Sequence, residues 1–139
     1  MSEGTLRLSV VTPGNQQLKD VAVNSVVLPG EMGQFNILPG HINFITSLKN
    51  GVFGYRVGEE WQIAFLSGGF TQVFSGAITV LAETVEMAQE LDQARAESEL
   101  HSLQSKLKAV KAGSDEYVVI AKGIEQALAR VSAAKKKLH

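Results

Sequence analysis

The chain has 139 residues, 45% of them hydrophobic and 19% charged; that is enough for one ordinary domain, or a small domain with an appendage, and excludes two full enzyme domains or a wholly disordered chain. Its 13 basic residues nearly balance 14 acidic ones for a formal net charge of -1, so no overall field draws it to nucleic acid or anionic lipid. With no cysteine, disulfides, thiolate nucleophiles and cysteine metal sites are removed together, and a reducing compartment is permitted.

Met1-Ser2-Glu3-Gly4 runs straight into an alternating segment, without the basic-then-apolar pattern of a signal peptide or the Arg-rich pattern of a transit peptide, which argues against secretion. Leu6, Leu8 and Val10 share one face of a first strand that ends at Pro13-Gly14. A second strand is expected over Asp20 to Leu28, closed by Pro29-Gly30. Further strands are bounded by Pro39-Gly40, Asn50-Gly51, Gly58 and Gly68-Gly69, with Trp61, Ile63 and Phe65 alternating inward, and Ile78, Val80 and Ala82 complete the set. Turn signals roughly every 8 to 12 residues, with no helical period between them, predict an all-β sandwich or flattened barrel. The Gly68-Gly69 pair is read as a bend or a close backbone approach.

The chain changes character at Thr84. Eleven of the 13 glycines, all three prolines and eight of the nine aromatics lie at or before it, so the turn chemistry of a sheet stops there. Beyond it Ala96, Leu100, Leu103, Leu107 and Val110 recur at spacings of four and three, one face of a helix. Gly113 is expected to stop that helix and Ser114 to cap a second one, with Asp115 and Glu116 at the positive end of its dipole. Ile120, Ile124, Ala127 and Val131 form the second apolar stripe, and Lys135, Lys136 and Lys137 suit the far end of the dipole. An antiparallel hairpin with a short connection follows, divided from the sandwich as residues 1–86 and 87–139. Two helices with single apolar stripes do not order themselves well alone, so the hairpin needs a surface to lean on; it is either a movable element or one permanently packed on the sandwich.

No catalytic constellation is visible. His41, His101 and His139 stand far apart and match no metal-ligand spacing, so no zinc site is expected. Gly30-Glu31-Met32-Gly33 and Ser67-Gly68-Gly69-Phe70 lack the lysine of a phosphate loop and read as turns. The one polar cluster with a ligand in view is Leu91-Asp92-Gln93-Ala94-Arg95-Ala96, with Glu86 ahead of it. Asp92 and Arg95 share a face at i, i+3. The plain structural reading is a local ion pair of about 0.2 to 0.5 kcal/mol; the sharper one has carboxylate and guanidinium meeting the edge of a planar ring such as adenine, with Ala96 leaving room.

Val27-Leu28-Pro29-Gly30-Glu31-Met32-Gly33-Gln34-Phe35-Asn36-Ile37-Leu38-Pro39-Gly40-His41, then Phe65-Leu66-Ser67-Gly68-Gly69-Phe70, Thr79-Val80-Leu81-Ala82-Glu83 and Leu91-Asp92-x-x-Arg95-Ala96 resemble, in order and over essentially the whole chain, the epsilon subunit of bacterial and chloroplast ATP synthases. The resemblance implies a sandwich of about ten strands that grips the rotating gamma subunit and sits on the ring of c subunits. It implies a non-catalytic central-stalk subunit, a monomer within a hetero-oligomer, peripheral to the cytoplasmic face of the bacterial plasma membrane. It also implies a regulatory hairpin that folds on the sandwich or extends toward the catalytic alpha and beta subunits to restrain ATP hydrolysis. Carried over, Glu31, Met32, Gly33 and Gln34 meet the c ring and His41 lies toward gamma; Lys106, Lys122 and Arg130 are the remaining basic candidates for a nucleotide's phosphates or, with Lys135 to Lys137, for acidic segments of the catalytic subunits when the hairpin is extended. Glu86, Leu91, Asp92, Arg95 and Ala96 match the nucleotide motif, so ATP is implied as a regulatory ligand and no cofactor is required. The family often has an acid where Gln34 stands, and its strong nucleotide binders carry more arginines along the hairpin than this chain does. Two rivals make distinct demands: a metal-binding β-barrel enzyme needs clustered histidines, and a free-standing module with a coiled-coil arm needs self-association.

Overall fold

The computed structural model describes residues 4–41 and 43–136; Met1, Ser2 and Glu3 of the leader reading, and Lys137 and His139, lie outside them. The first strand, β1 (Leu6–Thr12), buries Leu6, Leu8 and Val10 as their alternation requires. The second expected strand divides in two. β2 (Asn15–Val23) pairs with β1, and β3 (Ser25–Gly30) crosses to the other layer. Asn24 makes the break, donating from Nδ2 to the Gly4 carbonyl (3.1 Å) while its Oδ1 accepts the Gly58 N–H (2.7 Å). A side chain that satisfies two distant backbone groups fixes a corner where strand propensity alone reads through.

β4 (Gly33–Ile37), β5 (Phe44–Leu48) and β6 (Gly51–Val57) lead to β7 (Glu60–Phe74) and β8 (Ala77–Met87). Among the described residues eight strands replace the expected ten or so, because β7 and β8 are long enough to serve both layers. β7 pairs with β6 through residues 60–66 and with β5 through residues 69–73. β8 follows it in one constant register from Phe74↔Ala77 to Ala64↔Met87, with no pair at Gly68, and also runs parallel to β1. The crossing point is Gly69, whose φ is +145° and where a Cβ would overlap the Leu81 carbonyl of β8. Only glycine permits that approach, as the sequence reading required.

The interior of the sandwich is filled by Leu8, Val10, Val26, Leu28, Ile37 and Phe53, all 1% exposed or less. Trp61, Ile63 and Phe65 were expected to alternate toward this interior; they face the other way. Ala64 and Leu66 occupy the main core, while Ile63 and Phe65 lie in a second cluster with Val52, Ala88, Ala129 and Ala133. Trp61 at the strand's outer end is 38% exposed. A run buried on both faces needs no alternation, and Ile63-Ala64-Phe65-Leu66 is such a run.

After a single 3-10 turn, Ala88–Glu90, come α1 (Gln93–Ala109) and α2 (Asp115–Ala134). α1 is capped by Asp92, which accepts the Arg95 backbone N–H at 3.1 Å, and α2 by Ser114, which accepts the Tyr117 N–H at 3.1 Å. α1 ends at Ala109, earlier than Gly113, because Val110 is already extended; Gly113 turns the connection with φ +84°. The stripe from Ala96 to Val110 is the shielded face of α1. α1 packs on α2, and α2 on β6 and β7. Its buried apolar residues in the cluster with the sheet are Ala129 and Ala133, four residues apart and therefore on one face. The hairpin is folded against the sandwich.

Candidate functional site

Where the strand domain passes into the hairpin, a concavity of about 450 Å³ is lined by Glu86, Glu90, Leu91, Asp92, Arg95, Ala96, Glu99 and Arg130. All five residues singled out for a nucleotide, Glu86, Leu91, Asp92, Arg95 and Ala96, are in its wall. β8 supplies Glu86, the cap of α1 supplies Asp92, and the first turns of α1 supply Arg95 and Ala96. Ala96 is buried at 5% exposure; a larger side chain there would fill the floor.

The expected Asp92–Arg95 ion pair is replaced by other partners. Asp92 uses its carboxylate on the Arg95 backbone N–H, while the Arg95 guanidinium approaches Glu99 Oε1 at 3.5 Å. A cap geometry turns the two side chains apart, and the next helical turn offers Arg95 an acid. Arg130, read from sequence both as a candidate for a nucleotide's phosphates and as a partner contact, lies in this pocket. Its Nε donates to Glu86 Oε1 at 2.7 Å and its guanidinium sits 4.5 Å over the Phe65 ring centroid. Lys122 is exposed on α2 and away from this wall. The sequence reading missed Phe65, Glu90 and Glu99; Glu99 carries a helical-spacing signal from Arg95, whereas nothing local points from Phe65 to Arg130.

The lining brings four carboxylates and two guanidiniums together, and each guanidinium is already next to a carboxylate. Such a wall can meet the hydrogen-bonding edge and ribose hydroxyls of a nucleoside. Phosphates need an arginine drawn away from its acid. Among the described residues no cluster of three His, Cys, Asp or Glu side chains could hold a metal ion.

A second concavity of about 420 Å³ lies at the β3–β4 end and is lined by Gly30, Glu31, Met32, Gly33, Gln34 and His41 with Phe35, Phe44 and Thr46. Met32, at the tip of the turn, is fully exposed. His41 follows the Pro39-Gly40 turn, closed by its N–H to the Leu38 carbonyl (3.1 Å), and its ring lies 5.2 Å from that of Phe44. The sequence reading gave His41 and the Glu31–Gln34 tip to different neighbours; the structure sets them around one hollow.

Residues 5–88 match the family model described as the β-sandwich domain of the ATP synthase delta/epsilon chain. An ATP synthase epsilon chain of Syntrophotalea carbinolica is 33% identical over 129 residues, covering 93% of each chain. The chain belongs to the ATP synthase epsilon family. A Synechococcus epsilon chain is 35% identical over 134 residues, covering 94% of this chain and 97% of its own, so the likeness runs through the hairpin. In fold, a chain of the Euglena gracilis mitochondrial ATP synthase superposes with a TM-score of 0.83 at 18% identity, over 94% of this chain and 81% of that one. An epsilon chain is a non-catalytic subunit of a membrane-associated complex. No described helix is long and apolar enough to cross a membrane.

Proposed function

We propose that this epsilon chain works in the central stalk, coupling rotation of the c ring to the catalytic head through gamma, and that its hairpin restrains ATP hydrolysis when it leaves the sandwich. The Euglena neighbour belongs to an assembly described with its c-ring, which supports the stalk position. The β3–β4 end, with exposed Met32 and the hollow bounded by His41, suits a docking face on that ring. The stalk would lie at the cytoplasmic face of a bacterial plasma membrane, with the catalytic alpha and beta subunits met only by an extended hairpin.

The observation that carries the regulatory reading is the slightness of the hairpin's apolar seat: the buried residues that α2 sets against the sheet are the alanines Ala129 and Ala133, and α1 rests on α2. Alanine buries little area, so two packings of the hairpin differ by a few kcal/mol. ATP acts as a regulatory ligand at the Glu86–Arg130 concavity, where it would bridge sandwich and hairpin and favour the folded form.

The test is truncation. Val85 and Met87 pack on the sandwich core and Ala88 on the second cluster, so the cut belongs after Glu90, not at the compositional boundary of Thr84. The truncated chain in a reconstituted synthase is expected to retain coupling and raise ATPase activity. Unchanged activity would remove the regulatory role and leave the stalk role standing. For nucleotide, calorimetry at millimolar ATP is expected to give heat with the intact chain and less with Arg95→Ala; no heat from the intact chain would retire the ligand.

A further inference from the structure

Among the described residues, the hairpin's small alanine seat is accompanied by a polar fastening to the sandwich. Glu86 stands on β8 and Arg130 on α2, 44 residues apart, and their 2.7 Å contact is half-buried, with side-chain exposures of 35% and 29%. The same guanidinium covers Phe65 of β7, which is itself fully buried. The bridge from Lys135 to Glu97 (3.5 Å) ties helix to helix, and Arg95 to Glu99 stays within α1. The Glu86–Arg130 pair therefore differs from these in spanning the joint that a releasable hairpin must open.

We infer that Glu86, Arg130 and Phe65 form a clasp that holds the hairpin down without nucleotide, so that in this chain the folded form does not depend on ATP. The inference rests on the reading of the hairpin as releasable. Opening the joint separates a partly desolvated carboxylate from its guanidinium and bares the Phe65 face at once, costs that a purely apolar seat would not impose. A nucleotide whose phosphates take Arg130 must first displace Glu86, so clasp and phosphate compete for one side chain. Glu86 on this account is a positioning residue for the hairpin, and its loss frees Arg130 for an anion.

Hydrogen exchange of the full chain in nucleotide-free buffer tests this. Glu86→Gln and Arg130→Gln are each expected to speed exchange over residues 120–133 about tenfold, with strand amides of β1 and β8 unchanged, because opening of the joint is local. The double variant should exchange no faster than Arg130→Gln alone, since that change already removes the ion pair. Phe65→Leu keeps an apolar core and removes the ring beneath the cation; it should give a smaller increase. Protected α2 amides in Glu86→Gln beside an intact sheet, or fully additive effects in the double variant, overturn the clasp. In an ATP titration, Glu86→Gln should bind at least as tightly as the parent; weaker binding would make Glu86 a ligand and not a competitor. Clasp variants whose α2 amides stay protected, while truncation after Glu90 still raises the ATPase rate of the reconstituted synthase, end this inference and spare the regulatory reading above.

Discussion

Asp92 both caps α1 and walls the pocket beside it, and substitution separates the two roles. Asp92→Ala removes the acceptor for the Arg95 N–H and is expected to lower stability by about 1 kcal/mol, read as a fall in the urea midpoint. Asp92→Asn keeps an acceptor for the cap, so stability should hold while any heat of ATP binding falls; unchanged heat in Asp92→Asn would assign Asp92 to the cap alone. Gly69 is constrained more severely. A methyl at Gly69→Ala meets the Leu81 carbonyl in a backbone conformation that L residues avoid, and a loss of about 3 kcal/mol or more is expected in the same assay. Burial raises the Tyr55 hydroxyl pKa. The folded chain then keeps that proton to higher pH than the unfolded chain. This contribution is complete below the ordinary tyrosine value of about 10 and is lost as pH climbs through the raised folded one. Tyr55→Phe should flatten the alkaline fall in stability; an unchanged slope would place its origin elsewhere.

Among the elements, α2 and β7 carry the account. Ala129→Leu thrusts a larger side chain at Val52, Ile63 and Phe65 and is expected to loosen the hairpin at a cost of about 1 to 3 kcal/mol, seen as faster exchange in α2 with the β1 amides unmoved. β1 was legible in the sequence because only one of its faces is buried, so Leu6, Leu8 and Val10 keep period two. β7 was only half legible: an apolar run buried on both sides has no phase, and which side lies under the hairpin is decided by alanines more than sixty residues later. The break at Asn24 was hidden because it depends on the distant Gly4 and Gly58 backbones. The same rule divides the site. Glu86 through Ala96 lie on one short stretch and could be read together, whereas Arg130 reaches the pocket only through the return of α2. The helix stripes and the Ser114 cap were legible because helical neighbours are three and four residues apart.

At the scale of the whole molecule, a sandwich closed by shared strands carries a hairpin seated through small side chains and one clasp. The purified chain is expected to sediment as a monomer and to form a stable complex with gamma; self-association through α1 would instead favour the coiled-coil rival. The central claim is that the position of the hairpin governs hydrolysis. Since the chain has no cysteine of its own, cysteines introduced across the second cluster, Val52→Cys on β6 and Ala129→Cys on α2, would pin α2 to the sheet once a disulfide between them is verified under oxidising conditions. The decisive measurement is the ATPase rate of a synthase reconstituted with this variant, oxidised and then reduced, against the same cycle with the parent chain. The account predicts a faster rate with the hairpin pinned and a return to the parent rate on reduction; a verified disulfide that leaves the rate the same in both states would contradict it.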